Sequence, residues 1–172
     1  LTVLSDATAI FAAFELSYYI RFFSSFQNII PATKGIPVIS GYNKFALLVI
    51  PIWLIIFQGR KLYKLKRTVF ILDELFAIIK CVSIGILFAM SLVFILKGDF
   101  PYSRLVFLLI WINSVILITI GRYLILKLEK NLYNKNIGVN TVAIVGSNEM
   151  AEKIYDKFSA DKFAGFNVIG YF

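Results

Sequence analysis

Histidine is absent from this chain, and cysteine occurs once, as Cys81. No Ser-His-Asp triad, Cys-His pair or histidine-rich metal site can be assembled from such a sequence. No intrachain disulfide can close, and Cys81 lies inside an apolar run, where it reads as a small packing residue. Charges are bunched rather than scattered, so long stretches carry none. No signal peptide is recognisable, because the first apolar segment is too long and lacks a cleavage site. The sequence starts at Leu1 rather than Met and stops at Phe172 inside a strand-like run, which reads as a fragment cut at both ends.

What fills the 172 residues is apolar: 59% are hydrophobic, with a mean hydropathy of +0.81. A helix needs about 20 mostly apolar residues to cross a hydrocarbon core of about 30 Å. Four such runs are present. The first is Leu1 to Phe23. A loop over Ser24–Gly41 contains Gly35, Pro31 and Pro37. The second span is Tyr42 to Gln58 and includes Pro51, which a membrane helix tolerates. The third is Glu74 to Leu96. Turn chemistry at Lys97-Gly98-Asp99-Phe100-Pro101 leads to the fourth, Tyr102 to Leu126. The fold expected is an α-helical membrane protein with a four-helix transmembrane domain over 1–130.

Orientation follows from the basic residues. Arg60, Lys61, Lys64, Lys66 and Arg67 crowd the loop after the second span, interleaved with Leu62, Tyr63 and Leu65. Arg122, Lys127, Lys130 and Lys135 follow the fourth. The other connections hold only Lys34 and Lys44, and Lys97 and Arg104. Both termini are therefore expected in the cytoplasm. The same loop could lie on anionic lipid, and charge beside a bilayer accounts for the pI of about 9.6 without nucleic acid.

Polar residues within the spans need partners. Asp6 and Lys80 fall near cytoplasmic ends, Glu15 and Asn113 nearer the middle. Arg21 and Arg104 fall toward the outer ends, placed to snorkel. At 1.5 Å per residue Glu15 and Asn113 reach equal depth, roughly 13 Å in, so either a hydrogen bond joins them or each finds a backbone carbonyl or a serine such as Ser83 or Ser114 instead. Interhelical bonding explains these groups better than a transport path, because they are few and unrepeated.

After Gly138 the pattern changes. Thr141–Val145 is a short β run and Gly146-Ser147-Asn148 a turn. Glu149 to Ser159 reads as a helix with Met150, Ile154, Tyr155 and Phe158 near one face, and Phe166–Phe172 is a second run. This is the first βαβ unit of a Rossmann-like domain over 139–172, with parallel strands. One unit cannot cover both faces of its sheet, so the domain is expected to continue. Gly146, Ser147 and Asn148 sit where a phosphate-binding turn would aim helix N–H groups at an anion. Only the first glycine of G-x-G-x-x-G is kept. Asn148 and Ala151 replace the others, and both a nucleotide-type ligand and a purely structural turn stay open.

Several landmarks in order resemble the N-terminal part of the bacterial polyprenyl-phosphate sugar-phosphate transferases, which initiate exopolysaccharide, capsule and O-antigen synthesis. They are Asp6, Ile20-Arg21-Phe22, Asp73-Glu74-Leu75 after the basic loop, Ser103-Arg104-Leu105-Val106 and Gly121-Arg122. They end with Val142–Gly146 and Val168–Phe172. The resemblance implies transfer of a sugar 1-phosphate from a UDP-sugar to undecaprenyl phosphate at the bacterial cytoplasmic membrane, releasing UMP. It implies a carboxylate nucleophile and Mg²⁺ in a C-terminal domain absent from this chain, so no catalytic residue, metal ligand or cofactor is assigned here. The implied partners are membrane lipid and polyprenyl phosphate, and UDP-sugar through the missing domain, with a homo-oligomer left open. The four spans and the Rossmann-like part would anchor, assemble or regulate. Two other readings stand beside it. One is a membrane-bound nucleotide-sugar dehydratase or epimerase, which adds a second, NAD-binding domain; the other is a ligand-sensing membrane module.

Overall fold

The chain organises around four long helices, described by a computed structural model over residues 1–25, 27, 30–31, 35–60, 62–63, 71–96, 103–134, 137–138, 140–144, 153 and 166–171. They are α1 (Thr2–Phe23), α2 (Ile39–Gly59), α3 (Ile71–Leu96) and α4 (Arg104–Asn134). All four are long and apolar enough to cross a membrane. At 1.5 Å per residue the shortest is about 31 Å long. The protein is therefore multi-pass. Helix α2 begins three residues before the apolar run suggested and α3 likewise. Helix α4 continues eight residues past Leu126, because Lys127, Glu129 and Lys130 are good helix formers that end a hydrophobic run without ending a helix.

Each helix buries a narrow stripe and exposes the rest. In α1 the buried positions are Asp6, Ile10, Ala13, Phe14, Ser17, Tyr18, Arg21 and Phe22; in α2 they are Tyr42, Phe45, Ala46, Val49, Trp53 and Phe57. These recur at three- and four-residue steps, so one side of each helix meets its neighbours. Only about a third of each span is buried within the bundle. Large apolar side chains such as Leu48, Ile55, Leu87, Phe94 and Leu108 point outward. In water that surface would drive aggregation; in lipid it is already solvated.

Aromatic rings form the core. Tyr18 stacks with Tyr42 at 5.5 Å between centroids, Phe14 with Phe45 at 6.3 Å and with Trp53 at 6.4 Å. Helices α2 and α3 approach closely at Gly85, where an added Cβ would lie 2.1 Å from the Trp53 indole nitrogen. No side chain fits there, which is why a helix-weakening glycine sits in α3. Neutral hydrogen bonds cross the bundle above and below this contact. Trp111 Nε1 donates to Ser83 Oγ at 3.0 Å, and the Ser103 amide donates to the Tyr42 hydroxyl oxygen at 3.1 Å.

The chain divides into two compact units, Leu1–Arg122 and Tyr123–Phe172. In the second, Gly138 has φ +76°, a conformation favouring glycine, between α4 and the first strand. Strands β1 (Asn140–Ile144) and β2 (Phe166–Tyr171) pair in parallel, with an irregularity between Val142 and Ala143. Apart from Lys153, residues 145–165 lie outside the described residues. That covers the helix expected over Glu149–Ser159, so the βαβ unit as a whole is not established. The 97–101 turn and Lys34, Lys61, Lys64, Lys66 and Arg67 also lie outside them.

Candidate functional site

The most highly charged place inside the bundle is built by all four helices at one end. Alternating chain direction puts the start of α1, the end of α2, the start of α3 and the later part of α4 together there. Asp6 comes from α1, Glu74 from α3 and Arg122 from α4. Arg122 Nη2 donates to Asp6 Oδ2 at 2.6 Å and Nε to Asp6 Oδ1 at 3.3 Å, a two-pronged pair. Arg122 Nη1 donates to Glu74 Oε1 at 3.1 Å. The guanidinium carbon also lies 5.8 Å from the Phe57 ring centre and 5.6 Å from that of Tyr63. Asp6 is fully buried and Arg122 is 4% exposed.

Local sequence explains the placement. A Cβ at Gly121 would come 2.9 Å from Ser5 Oγ, so the residues preceding Arg122 and Asp6 already touch. Glu74 stands in the first turn of α3 beside Asp73, where carboxylates complement the helix dipole. An arginine suits this role because its planar fork meets a carboxylate with two N–H groups and stacks on rings. The Tyr63 hydroxyl, in the segment after α2, is buried and forms no hydrogen bond of good geometry among the described residues. Burial foremost, and then the nearby Asp6 carboxylate, push its pKa well above the ordinary tyrosine range.

Such a cluster holds helices: Arg122 Nε, Nη1 and Nη2 each donate to one of the two carboxylates, and the Phe57 and Tyr63 rings lie beside the guanidinium. Removing Arg122 leaves the fully buried Asp6 carboxylate uncompensated, which costs about 3–5 kcal/mol.

Three of the landmarks, Asp6, Asp73-Glu74-Leu75 and Gly121-Arg122, converge here. Their mutual contact was not foreseen, although opposite charges at similar depth in apolar helices are the available signal. The Glu15–Asn113 bond does not form. Asn113 Nδ2 donates to Ser17 Oγ at 2.9 Å instead, and Ser17 hydroxyl donates to the Ala13 carbonyl. Ser17 is two residues, about 200°, around α1 from Glu15 and faces α4. Arg21 does not snorkel outward: it is 4% exposed, and its Nη1 donates to the Ile30 carbonyl at 2.8 Å because the loop after α1 folds back over it. Gly146, Ser147 and Asn148 lie outside the described residues.

The family described as a CoA-binding domain matches residues 59–172, about two thirds of the chain. The match takes in Tyr63, Glu74 and Arg122, and it spans α3, α4 and both strands. No curated protein matches the chain.

Proposed function

We infer, because the chain belongs to the CoA-binding domain family found in the N-terminal region of sugar transferases, that it is the membrane-anchoring and accessory part of such an enzyme. The reaction proposed is transfer of a sugar 1-phosphate from a UDP-sugar to undecaprenyl phosphate, with UMP released, to begin exopolysaccharide, capsule or O-antigen synthesis. One observation supports this reading: a match to the CoA-binding domain family over residues 59–172 in a chain with four membrane-length helices, two of them inside the match. A lipid acceptor confined to a leaflet calls for an enzyme held at that leaflet. The chemistry itself, with its carboxylate nucleophile and Mg²⁺, is assigned to a domain outside this chain. The Gly146-Ser147-Asn148 segment, which follows β1 in the sequence, is the place proposed for the phosphates of a CoA- or nucleotide-type ligand.

The protein is placed in the bacterial cytoplasmic membrane with both termini inside, on the strength of Arg60 and its basic neighbours and of Lys127 and Lys130. That puts the Asp6–Arg122–Glu74 cluster at the cytoplasmic end. In a variant with Cys81→Ala, a cysteine introduced near Lys64 is expected to react only after permeabilisation, and one near Lys34 in intact cells.

The test is an assay of membranes from cells expressing the full-length gene product, supplied with radiolabelled UDP-sugar. The expected result is label in the lipid extract with equimolar UMP, reduced by deleting the four helices, and none from the 172-residue chain alone. Conversion of the nucleotide sugar in the aqueous phase without UMP would instead identify a dehydratase or epimerase.

A further inference from the structure

Helix α3 exposes one stripe at four-residue steps: Leu72, Phe76, Lys80, Ile84 and Phe88. Four of the five are apolar, as a lipid-facing stripe must be, and the fifth is a lysine. Lys80 stands six residues beyond Glu74, about 9 Å deeper along the helix. An ammonium there must reach back along its own stem to the polar boundary. A groove of about 360 Å³ opens in that direction, lined by Arg60, Asp73, Phe76, Ala77, Lys80 and Cys81. Among the described residues neither Arg60 nor Lys80 forms an ion pair, whereas Arg122 at the same end has two carboxylates.

Among the described residues the groove has two cations, one carboxylate and an apolar floor continuing into the stripe of Ile84 and Phe88, and the formal charge of those residues is +1. We propose that it binds the headgroup of an anionic glycerophospholipid from the surrounding leaflet. The phosphodiester lies between Arg60 and Lys80, headgroup hydroxyls donate to Asp73, and an acyl chain follows the α3 stripe. The charge favours a diester: a monoanion neutralises the groove, whereas a phosphate monoester carries about −1.5 to −2 and would place its extra charge against Asp73. The site requires only that the helices sit in a bilayer and is independent of the transferase reading.

The test uses the 172-residue chain in phosphatidylcholine bilayers with trace spin-labelled phosphatidylglycerol or spin-labelled phosphatidylcholine, comparing the motionally restricted fractions. Phosphatidylglycerol is expected to be preferred. Lys80→Leu, which completes an apolar stripe and preserves folding, lowers that preference about fivefold, as does Arg60→Gln at the helix end. Lys127→Gln, an exposed basic residue of α4 that does not line the groove, changes it little. Equal restriction of both lipids, or equal losses from Lys127→Gln and Lys80→Leu, would overturn the site in favour of unspecific surface charge. Stronger displacement by undecaprenyl phosphate than by unlabelled phosphatidylglycerol would overturn the diester assignment. Displacement by free glycerol phosphate at the same concentration would show that no lipid chain is needed, and would overturn it too.

Discussion

Arg122 and Arg21 are buried to the same degree, 4% exposed each, near opposite ends of the helix bundle, and their surroundings differ in kind. Arg122 meets two carboxylates and two ring faces drawn from three other parts of the chain. Among the described residues Arg21 meets one backbone carbonyl from the loop next to it and the ring of its neighbour Phe22, and its buried Nε has no partner there. The first environment links α1, α3 and α4 through charge; the second ties a loop to the helix it follows. Burial alone therefore says little about what an ionised side chain does in this bundle. The number of separate helices that answer its charge says more.

The widest separation between the two ends is expected in stability. Arg122→Leu leaves Asp6 and Glu74 without their cation, and unfolding in detergent should show a loss of about 3–5 kcal/mol. Arg21→Leu removes one bond to a neutral carbonyl and relieves an unpartnered N–H, so the loss should be about 1 kcal/mol or less. Equal losses would erase the distinction. Between the two ends, Asn113→Leu removes the bond to Ser17 and should cost about 0.6–1.7 kcal/mol, while Glu15→Gln should neither change stability much nor couple to it. A measurable Glu15–Asn113 coupling would put α1 in a different rotation from the one seen.

That rotation marks the limit of what the amino-acid sequence made legible. The four spans could be read because hydropathy is summed over some twenty residues and tolerates errors of two or three. Depth could be read too, since Ser17 and Glu15 differ by only about 3 Å along α1. The facing direction could not. Two residues turn the side chain to the other side of the helix, and nothing local says which side meets α4. Asp6, Glu74 and Arg122 were each visible as charges in apolar surroundings, but their convergence depends on how three helices are turned at once. Arg21 was misplaced for a related reason: a snorkelling arginine assumes lipid around it, and here a carbonyl from the folded-back loop arrives first. Helix α4 outran its apolar run because bilayer thickness limits hydrophobicity and not helicity.

A smaller effect should separate the ends by pH. The Tyr63 phenol has a folded-state pKa raised above its ordinary value of 10.0, by burial and then by Asp6. Its contribution is whole below about pH 10 and is lost as pH climbs toward the folded value, because the unfolded phenol ionises first. Stability of the native chain should therefore decline from about pH 10 upward relative to Tyr63→Phe. Parallel pH profiles for the two proteins would mean that Tyr63 is not enclosed beside Asp6.

The most direct test of the charge clamp is a double-mutant cycle on Asp6→Leu and Arg122→Leu, followed by reversible unfolding in detergent. The two side chains meet in a buried, two-pronged pair, so Arg122→Leu strands the Asp6 carboxylate, a charge that the double variant removes. The prediction is a double variant more stable than Arg122→Leu alone, with a coupling above about 1 kcal/mol. Losses that simply add would contradict a clamp between α1 and α4 at this end of the bundle.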